Sequence, residues 1–590
     1  QKITIPIEEK LREVSGFDKV RSISRNSESE INVTVDIDHK DPDKVVADIR
    51  RAVDQVTDLP PQVRDKPLVI EQKSSDFPVM EISVYGGKDE IELQTNAKLI
   101  QDELRKVEGV ARVDAFAKRK KEWHVLVNPS LKQKYSVGFS DIITSIMERN
   151  VSIPGGSINA VYTKDIRVSG EFTEITDLNK LPVRANESGN QIFISQIARL
   201  KDTYEKERTL ARTNGYDAVN LLIIKKEQSD IIRTVNKLEE KIPNLKKQIP
   251  ESIQILELNN EGTKTVNRLN VVTSNSFQGL ILIFIVLFIF FSFRDSVLTS
   301  LSLPLSLLGS LLFMPILDIS FNLISMLGII ISLGMLVDNS IVISENIYTY
   351  KLKGMSSNEA AIQGTSELVV PIVGSYLTTV AAFIPMLSMS GIMGKFIYQI
   401  PLMVIITLTM SLFESFFLLS VRIAKYGKDK SKVKETFFGR LRGKLDVFFV
   451  NLIAKFESFT RILIRRRYVT LFVLFLIFVG SIFIWTLMKF NLFPKEGVEQ
   501  VIIKAEFPPY FTARETLARM QYVEPILNRI PKSEIIGYTV KIGVQQTDPT
   551  DPLARVGEHL GMVHLYFIPE NERKRTTGEI LAELEDELYL

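Results

Sequence analysis

SLGMLVDNSIVISENI, residues Ser332 to Ile347, is apolar almost throughout, yet Asp338 and Asn339 stand in its middle and Glu345 follows seven residues after Asp338. A carboxylate in such a run is costly, so the first question is what surrounds it. The run belongs to a longer one, Phe321–Ser344, and about 20 apolar residues carry a helix across a bilayer core. Five more runs have this character: Phe277–Phe293, Val297–Leu317, Leu368–Ser390, Phe396–Ala424 and Tyr468–Phe490. A soluble core has room for one buried helix of this kind, but not for six in succession on short polar joints. The stretch is read as part of a membrane bundle.

The other residues of the 590-residue chain are polar: 1–272 before the bundle and 491–590 after it. Orientation follows from the basic residues of the joints. Arg422 to Arg467 holds fourteen Lys and Arg, including KYGKDKSKVK and the Arg465–Arg467 triplet, which places that loop in the cytoplasm. Counting spans backward, Glu345–Glu367 and the Arg294 turn are also cytoplasmic, and the two polar regions lie on the far side. Within the basic loop, Phe448, Leu452, Phe456, Phe459 and Leu463 recur at helical spacing and predict an amphipathic helix on the inner membrane surface. QKITIPIEEKLREV at the start lacks the apolar core of a signal peptide. The tail EILAELEDELYL stops inside a helical pattern. The expectation is a chain clipped at both ends, with a transmembrane helix preceding it.

Composition excludes several classes. There are no cysteines, hence no disulfide framework, thiol nucleophile or thiolate metal site. His39, His124, His559 and His564 are scattered, and none stands at the i, i+4 spacing of a helical zinc pair. A net charge of +3 does not suit a nucleic-acid binder, which needs a basic face. Lys118–Lys121 is the one basic run of the leading region, and no stacking aromatics alternate through it. No G-x-S-x-G elbow or P-loop appears, so the chain is read as a non-enzyme.

The polar regions repeat one theme. IEEKLREVSG is an amphipathic helix, VRSISRNSES and EINVTVDI alternate as strands, and DPDKVVADIRRAV is a helix behind an Asp cap. MEISVYG, IELQTNAKLIQDELRKVEG, VARVDAFA and EWHVLVN give strand, helix, strand, strand. AVNLLIIKK, DIIRTVNKLEEKI and IQILELN repeat strand, helix, strand, as do QVIIKAEF, TARETLARMQYVEPIL and IGYTVKIG. These are small α+β units with helices on one face of an antiparallel sheet. Residues 151–212 are rich in turns and short strands and read as a β-rich insert.

An Asp at the centre of a membrane helix costs about 2.5–3.5 kcal/mol on insertion scales, and such residues face the bundle interior and mark ion or proton paths. Asp338 and Glu345, seven apart, share a helix face. Gly328, Ser332 and Gly334 of the same run permit close helix packing. Glu414, in MSLFESFFLLS, is a second charge within an apolar span. A carboxyl moved out of water binds a proton more readily, and one charge crossing the membrane potential releases about 2.3 kcal/mol per 100 mV. The other reading is structural, a polar group hydrogen-bonded across helices. Asn339 cannot titrate and serves at most as a hydrogen-bonding partner.

SFNLISMLGIIISLGMLVDNSIVISENI resembles the fourth transmembrane helix of resistance–nodulation–division (RND) efflux transporters, nearest to their hydrophobe/amphiphile branch. SFRDSVLTSLSLPLSLLGS, IPMLSMSGIMGKF, PIEEKLREVSGFDKVRSISRNSES and NLFPKEGVEQVIIKAEFPP resemble other parts of the family in order along the chain. The resemblance implies a multi-domain membrane protein: an α-helical transmembrane bundle with periplasmic α+β, ferredoxin-like porter modules and a β-rich docking insert. On that reading 1–70 and 213–272 belong to a first porter module, 71–150 to a second, and 151–212 to the docking insert. Residues 273–424 hold five spans, 425–467 the basic loop, 468–490 the sixth span, and 491–590 the start of a porter module of a second half. The resemblance further implies a bacterial inner-membrane homotrimer that works with a periplasmic adaptor protein and an outer-membrane channel. It would need no cofactor beyond the proton-motive force. Asp338 matches the first of two adjacent aspartates usual in the family's drug pumps, and Asn339 replaces the second, which brings Glu345 and Glu414 into consideration for the proton relay. The family's relay lysine belongs to a second half. GVARVDAF resembles the strand that gives the family's drug pocket a phenylalanine, here Phe116, although a core aromatic reads equally well.

The function expected is proton-driven export of small amphiphilic or hydrophobic compounds. Two alternatives are a metal-cation pump of the same superfamily, which calls for Met, His or carboxylate clusters, and a non-transporting membrane scaffold or translocation helper, which has no need of Asp338.

Overall fold

The computed structural model describes residues 2–25, 28–36, 38–60, 63, 66–71, 78–158, 164–185, 191–291, 293–317, 319–426, 437–488, 498–547, 551 and 554–588. The 427–434 part of the basic loop, 159–163 of the insert and 491–497 after the last span lie outside them. The chain divides into two units: 1–73 with 261–494, and 74–260 with 495–590.

In the first unit, Thr4–Leu11 and Pro42–Asp54 are helices and Phe17–Arg25 pairs antiparallel with Glu28–Val35. Asp41 caps the second helix by accepting from Lys44 N at 3.1 Å, which satisfies one of the helix's orphan donors. Ile7, Leu11, Val45, Ile49 and Val53 form the core. The same unit holds six apolar helical stretches of membrane-spanning length: Glu261–Ile289, Phe293–Phe313, Ile324–Leu352, Val369–Leu387, Gly394–Tyr426 and Arg467–Leu487, called the first to sixth spans below. Second, third and fifth pack together, while the sixth buries none of its residues within the described structure.

What lets three helices approach is a small-residue interior. Ser296, Thr299, Ser302, Ser306, Ser310, Ser332, Ser340, Ser344, Thr407, Ser411 and Ser415 are all buried. At Gly328 a Cβ would stand 2.8 Å from Ile400 O and from Met403 Cβ, so the third and fifth spans meet there backbone to backbone. Gly334 does not have the packing role expected of it, since a Cβ there would meet nothing within 4 Å. The basic loop contributes one continuous helix, Phe437–Arg465, with Phe448, Leu452, Phe456 and Phe459 exposed.

The second unit is built on one antiparallel sheet. Its strands run in the order Ile253–Asn260, Pro78–Gly86, Tyr216–Lys225, Leu210–Thr213, Ile535–Gln545, Arg555–Phe567 and Gln500–Glu506, with Val110–Phe116 also paired to Tyr216–Lys225. Helices Glu90–Arg105 and Ile231–Lys246 cover the first module around Met80, Ile82, Leu104, Leu221 and Leu238. Its strand–helix–strand, strand–helix–strand course is the split βαβ plan. The second module packs Ala513–Met520 and Thr577–Leu588 over Val540, Ile542, Val563 and Leu565. Strand Leu210–Thr213 joins the two modules edge to edge. Residues 121–204 form a body with its own core of Val137, Ile142, Leu178, Ile194 and Ile197, closed where Lys121–Val127 pairs with Ala198–Tyr204. The pairing spans about seventy residues, which is why period-two patterning alone placed the start of this body later.

Candidate functional site

The third span is not one continuous helix. Leu323–Leu333 ends, four residues turn, and a second helix runs Asp338–Leu352. In the turn, Met335 N donates to Ser332 O three residues back at 2.9 Å, the tighter 3₁₀ pattern. The carbonyl of Leu336 is taken up by Ser411 of the fifth span, whose Oγ donates to it at 2.7 Å. One turn further on, Ser340 and Ser415 hydroxyls meet at 2.8 Å. The break is thus built by the neighbouring helix, which supplies polar partners where the ladder lapses. Asp338 is the first residue of the half-helix that follows, an end where peptide dipoles favour negative charge.

Ser340, Ile343, Ser344 and Ile347 turn this half-helix's buried side inward. Asp338, Val342 and Glu345 lie on its other side and are exposed, and Asn339 is half-buried. Asp338 and Glu345 do share a face, but the expectation that Asp338 looks into the interior of these six spans is not met. The interior positions of its helix belong to the residues two and five places further on.

Glu414 is the most deeply buried carboxylate among the described residues of these spans, at 1% exposure, with Asp295 of the second span at 6%. It opens a π-helical turn, Glu414–Leu419, within the fifth span. Arg422 Nη2 donates to its Oε1 and also to Ser302 Oγ of the second span at 3.1 Å. Ser302 and Ser340 stand beside the carboxylate. Its Oε2, Arg422 Nη1 and Ser306 Oγ have no hydrogen-bond partner among the described residues. Arg422 had been legible only as a loop charge, because residues eight apart do not share a face on a regular α-helix.

In the second unit, Phe116 is half-buried against Tyr85, Ala117, Ala211 and Ala218, with Lys541 Nζ 5.8 Å from its ring centre. It lines neither of the two clefts found there. Its surroundings are a charged seam across the joined sheets. Lys541 Nζ donates to Glu81 Oε1 at 2.8 Å and Tyr566 Oη to Glu81 Oε2 at 2.7 Å. Ser83, Thr213 and Thr539 continue it as a chain of hydroxyls. Burial opposes the charge on Glu81, but the Lys541 ammonium, His564 and the Tyr566 hydroxyl outweigh it and hold the carboxyl down at about 2. Burial, then the Lys541 charge, lowers His564 to about 3.

Next to Phe116 the chain takes an unusual turn. Ala117 has φ +62°, a region that costs a side-chain-bearing residue roughly 1–2 kcal/mol. Gln94 holds it: Nε2 donates to Ala117 O at 3.0 Å and Oε1 accepts from Arg119 N at 3.0 Å. Ala117 lines a cleft of about 550 Å³ between the two modules, with Leu93, Ala211, Leu517 and the paired charges Arg119, Glu207, Arg212 and Arg514. Arg212 binds Glu524 at 2.8 Å and Arg514 binds Glu207 at 2.6 Å. Among the described residues no three His, Asp or Glu gather as a metal site would require.

Comparison with known proteins fits this arrangement. The AcrB/AcrD/AcrF family model matches residues 1–589. Curated relatives include "Multidrug resistance protein MdtC" of Citrobacter koseri, 26% identical over 449 residues, which are 74% of this chain and 43% of that protein. Proteins of the same name from Shigella sonnei (26%) and Escherichia coli (25%) match over 448 residues with the same coverage. The chain therefore spans about two fifths of the length of these relatives. A family match over essentially the whole chain, with six apolar helices of spanning length among the described residues, settles the assignment: the chain belongs to the AcrB/AcrD/AcrF family of resistance–nodulation–division transporters, multi-spanning proteins of the bacterial inner membrane.

Proposed function

We propose that the complete protein exports small amphiphilic or hydrophobic compounds and draws its energy from proton influx. The observation that carries this reading is Asp338, an acid at the start of a half-helix whose preceding turn is held by Ser411 and whose first turn is held by Ser415. A carboxylate there is stabilised by the helix end, and a neutral acid is not. Loading and unloading one proton therefore changes which neighbours the half-helix prefers. The exposed Asp338–Val342–Glu345 face would meet the spans of the second half that the resemblance implies. There the acid would be enclosed and given a cationic partner. Asn339 and Glu345 serve as its hydrogen-bonding and entry neighbours.

The far-side modules act as porter and docking parts on this reading, within a homotrimer joined to an adaptor protein and an outer-membrane channel. Substrate enters the cleft between the modules, where apolar Leu93, Ala117, Leu210 and Leu517 lie among paired charges. That mixture suits an amphiphile with a polar head better than a pure hydrocarbon. The test is Asp338→Asn in the full-length protein. Export should stop while assembly and membrane content stay normal. Undiminished export would sink the proton reading, and a protein that exports nothing yet keeps its role in the envelope unchanged in Asp338→Asn would favour the scaffold alternative. Sensitivity to copper or zinc without sensitivity to dyes or detergents in a deletion strain would point to the metal-pump alternative.

A further inference from the structure

The Glu414–Arg422 pair depends on an irregularity in its own helix. On a regular α-helix, residues eight apart are offset by about 80°, eight steps of about 100° less two full turns. A π turn accommodates one extra residue. Arg422 then stands where the seventh residue would, about 20° from Glu414. The π turn at Glu414–Leu419 is thus what brings the guanidinium onto the carboxylate. Straightening it would carry Arg422 about one residue step away.

The pair is also incompletely satisfied. Glu414 Oε2 and Arg422 Nη1 are buried without a hydrogen-bond partner among the described residues, as is Ser306 Oγ one turn along from Ser302. Each such group costs about 1–3 kcal/mol, more when charged. A purely structural pair would be expected to use both ends of a guanidinium–carboxylate fork.

The elements packed on this turn are the Ser302–Phe313 half of the second span, the Asp338–Leu352 half of the third, and the rest of the fifth. Their charged or titratable side chains are Asp338, Glu345, Tyr348, Tyr350 and Lys351 on the third span, and Lys395, Tyr398, Arg422, Lys425 and Tyr426 on the fifth. Asp295, on the 293–300 segment, borders the Ser420–Tyr426 end. Among these groups, Arg422 is the one that bonds Glu414. Asp338 and Glu345 are exposed on the opposite side of their helix.

We propose that Glu414 is a second proton-binding group of this protein, enclosed within the six spans and distinct from Asp338, with Arg422 as its exchangeable counter-ion. It rests on the reading that protons drive the protein. In one state the carboxylate accepts from Arg422 across the π turn. In the other it has taken one proton from water, its new O–H donates to the Ser302 or Ser340 hydroxyl, and the guanidinium turns toward the cytoplasmic end of the span. Returning the proton to water restores the pair. The protein gains one positive charge per proton bound, and no other atom changes hands.

Infrared difference spectroscopy on the full-length protein in liposomes tests this by following the carbonyl stretch of a protonated carboxylic acid as pH is varied. A band that titrates in the wild type and is lost in Glu414→Gln is expected. Because Glu414→Gln leaves Arg422 buried alone, Glu414→Gln/Arg422→Gln, which removes both charges, is measured beside it and should lose the same band. Arg422→Gln alone should change the pH at which the band appears. The Asp338→Asn protein should keep the Glu414 band although its export has stopped, so the two sites fail separately. The proposal is overturned if no band is lost in either Glu414 variant, if the midpoint is the same in Arg422→Gln, or if the double variant exports with the wild-type pH profile.

Discussion

Lys541→Met is the sharpest probe of the seam between the two soluble modules. The variant keeps the volume of the side chain and removes the ammonium that stands 2.8 Å from Glu81. Both partners are almost wholly buried, at 5% and 9% side-chain exposure, so bulk water cannot replace the lost charge. Glu81 is held at about 2 against an ordinary 4.5. At roughly 1.4 kcal/mol per pH unit, its surroundings, burial included, favour the ionised form by on the order of 3 kcal/mol. Removing one partner of a buried pair costs about 3–5 kcal/mol, because the other charge is left buried and unpaired. Hydrogen exchange of the full-length protein, read by mass spectrometry on peptides from Pro78–Gly86 and Ile535–Gln545, should show protection falling by about two orders of magnitude at neutral pH. The pH dependence should weaken as well. A carboxyl whose folded value is depressed contributes stability above its unfolded value and loses it as pH falls through the folded one, here between about 4.5 and about 2. His564, depressed from 6.5 to about 3, is bound by a proton first in the unfolded chain. It too removes stability as pH falls below 6.5. Wild-type protection should therefore fall on acidification. In Lys541→Met the cation opposing His564 is gone and Glu81 is buried without its ammonium, while burial still holds His564 down, so the loss of protection on acidification should be smaller than in the wild type. A loss under threefold at neutral pH, or an acid response like the wild type's, would refute the reasoning.

Three more outcomes follow from geometry already given. Ser411→Ala strips the hydroxyl from the Leu336 carbonyl and should cost about 1–3 kcal/mol, seen as a lower midpoint of thermal unfolding in detergent; Ser411→Thr should restore most of it. Gln94→Ala should cost a similar amount by releasing the Ala117 turn, whereas Ala117→Gly should stabilise by up to about 1 kcal/mol because glycine tolerates φ +62°; proteolysis of the 117–121 segment reports both. Gly328→Val should prevent the third and fifth spans from closing, because even a Cβ would stand 2.8 Å from Ile400 O; loss of folded protein on size exclusion is the readout, and a normal profile would show that the backbones separate freely.

Much of the architecture was legible because it rests on local periodicity. Six apolar runs gave six spans, alternation gave the strands, and Asp41 marked its helix start. What escaped depends on partners remote in sequence. The break before Asp338 was hidden because LGML has no Pro, and its cause is Ser411, seventy-five residues from the carbonyl it bonds. Arg422 was hidden from Glu414 because helical arithmetic assumes a regular ladder. Phe116 was read from its strand alone, while the charges that surround it come from Glu81 and Lys541, four hundred and sixty residues apart.

The serine- and threonine-lined interior of the second, third and fifth spans has a consequence for how this sequence can drift. Outward positions of these helices can exchange one hydrocarbon side chain for another with little effect, as solvation in lipid asks only for greasiness. The inward positions that hold serine or threonine lie among buried Leu336, Ile343 and Met403 and admit only side chains of about serine's size. Random mutagenesis should therefore divide the bundle more by bulk than by polarity, with serine-to-alanine changes mild except where the hydroxyl serves a neighbouring helix, as at Ser411, and serine-to-leucine changes lethal on the same helix face.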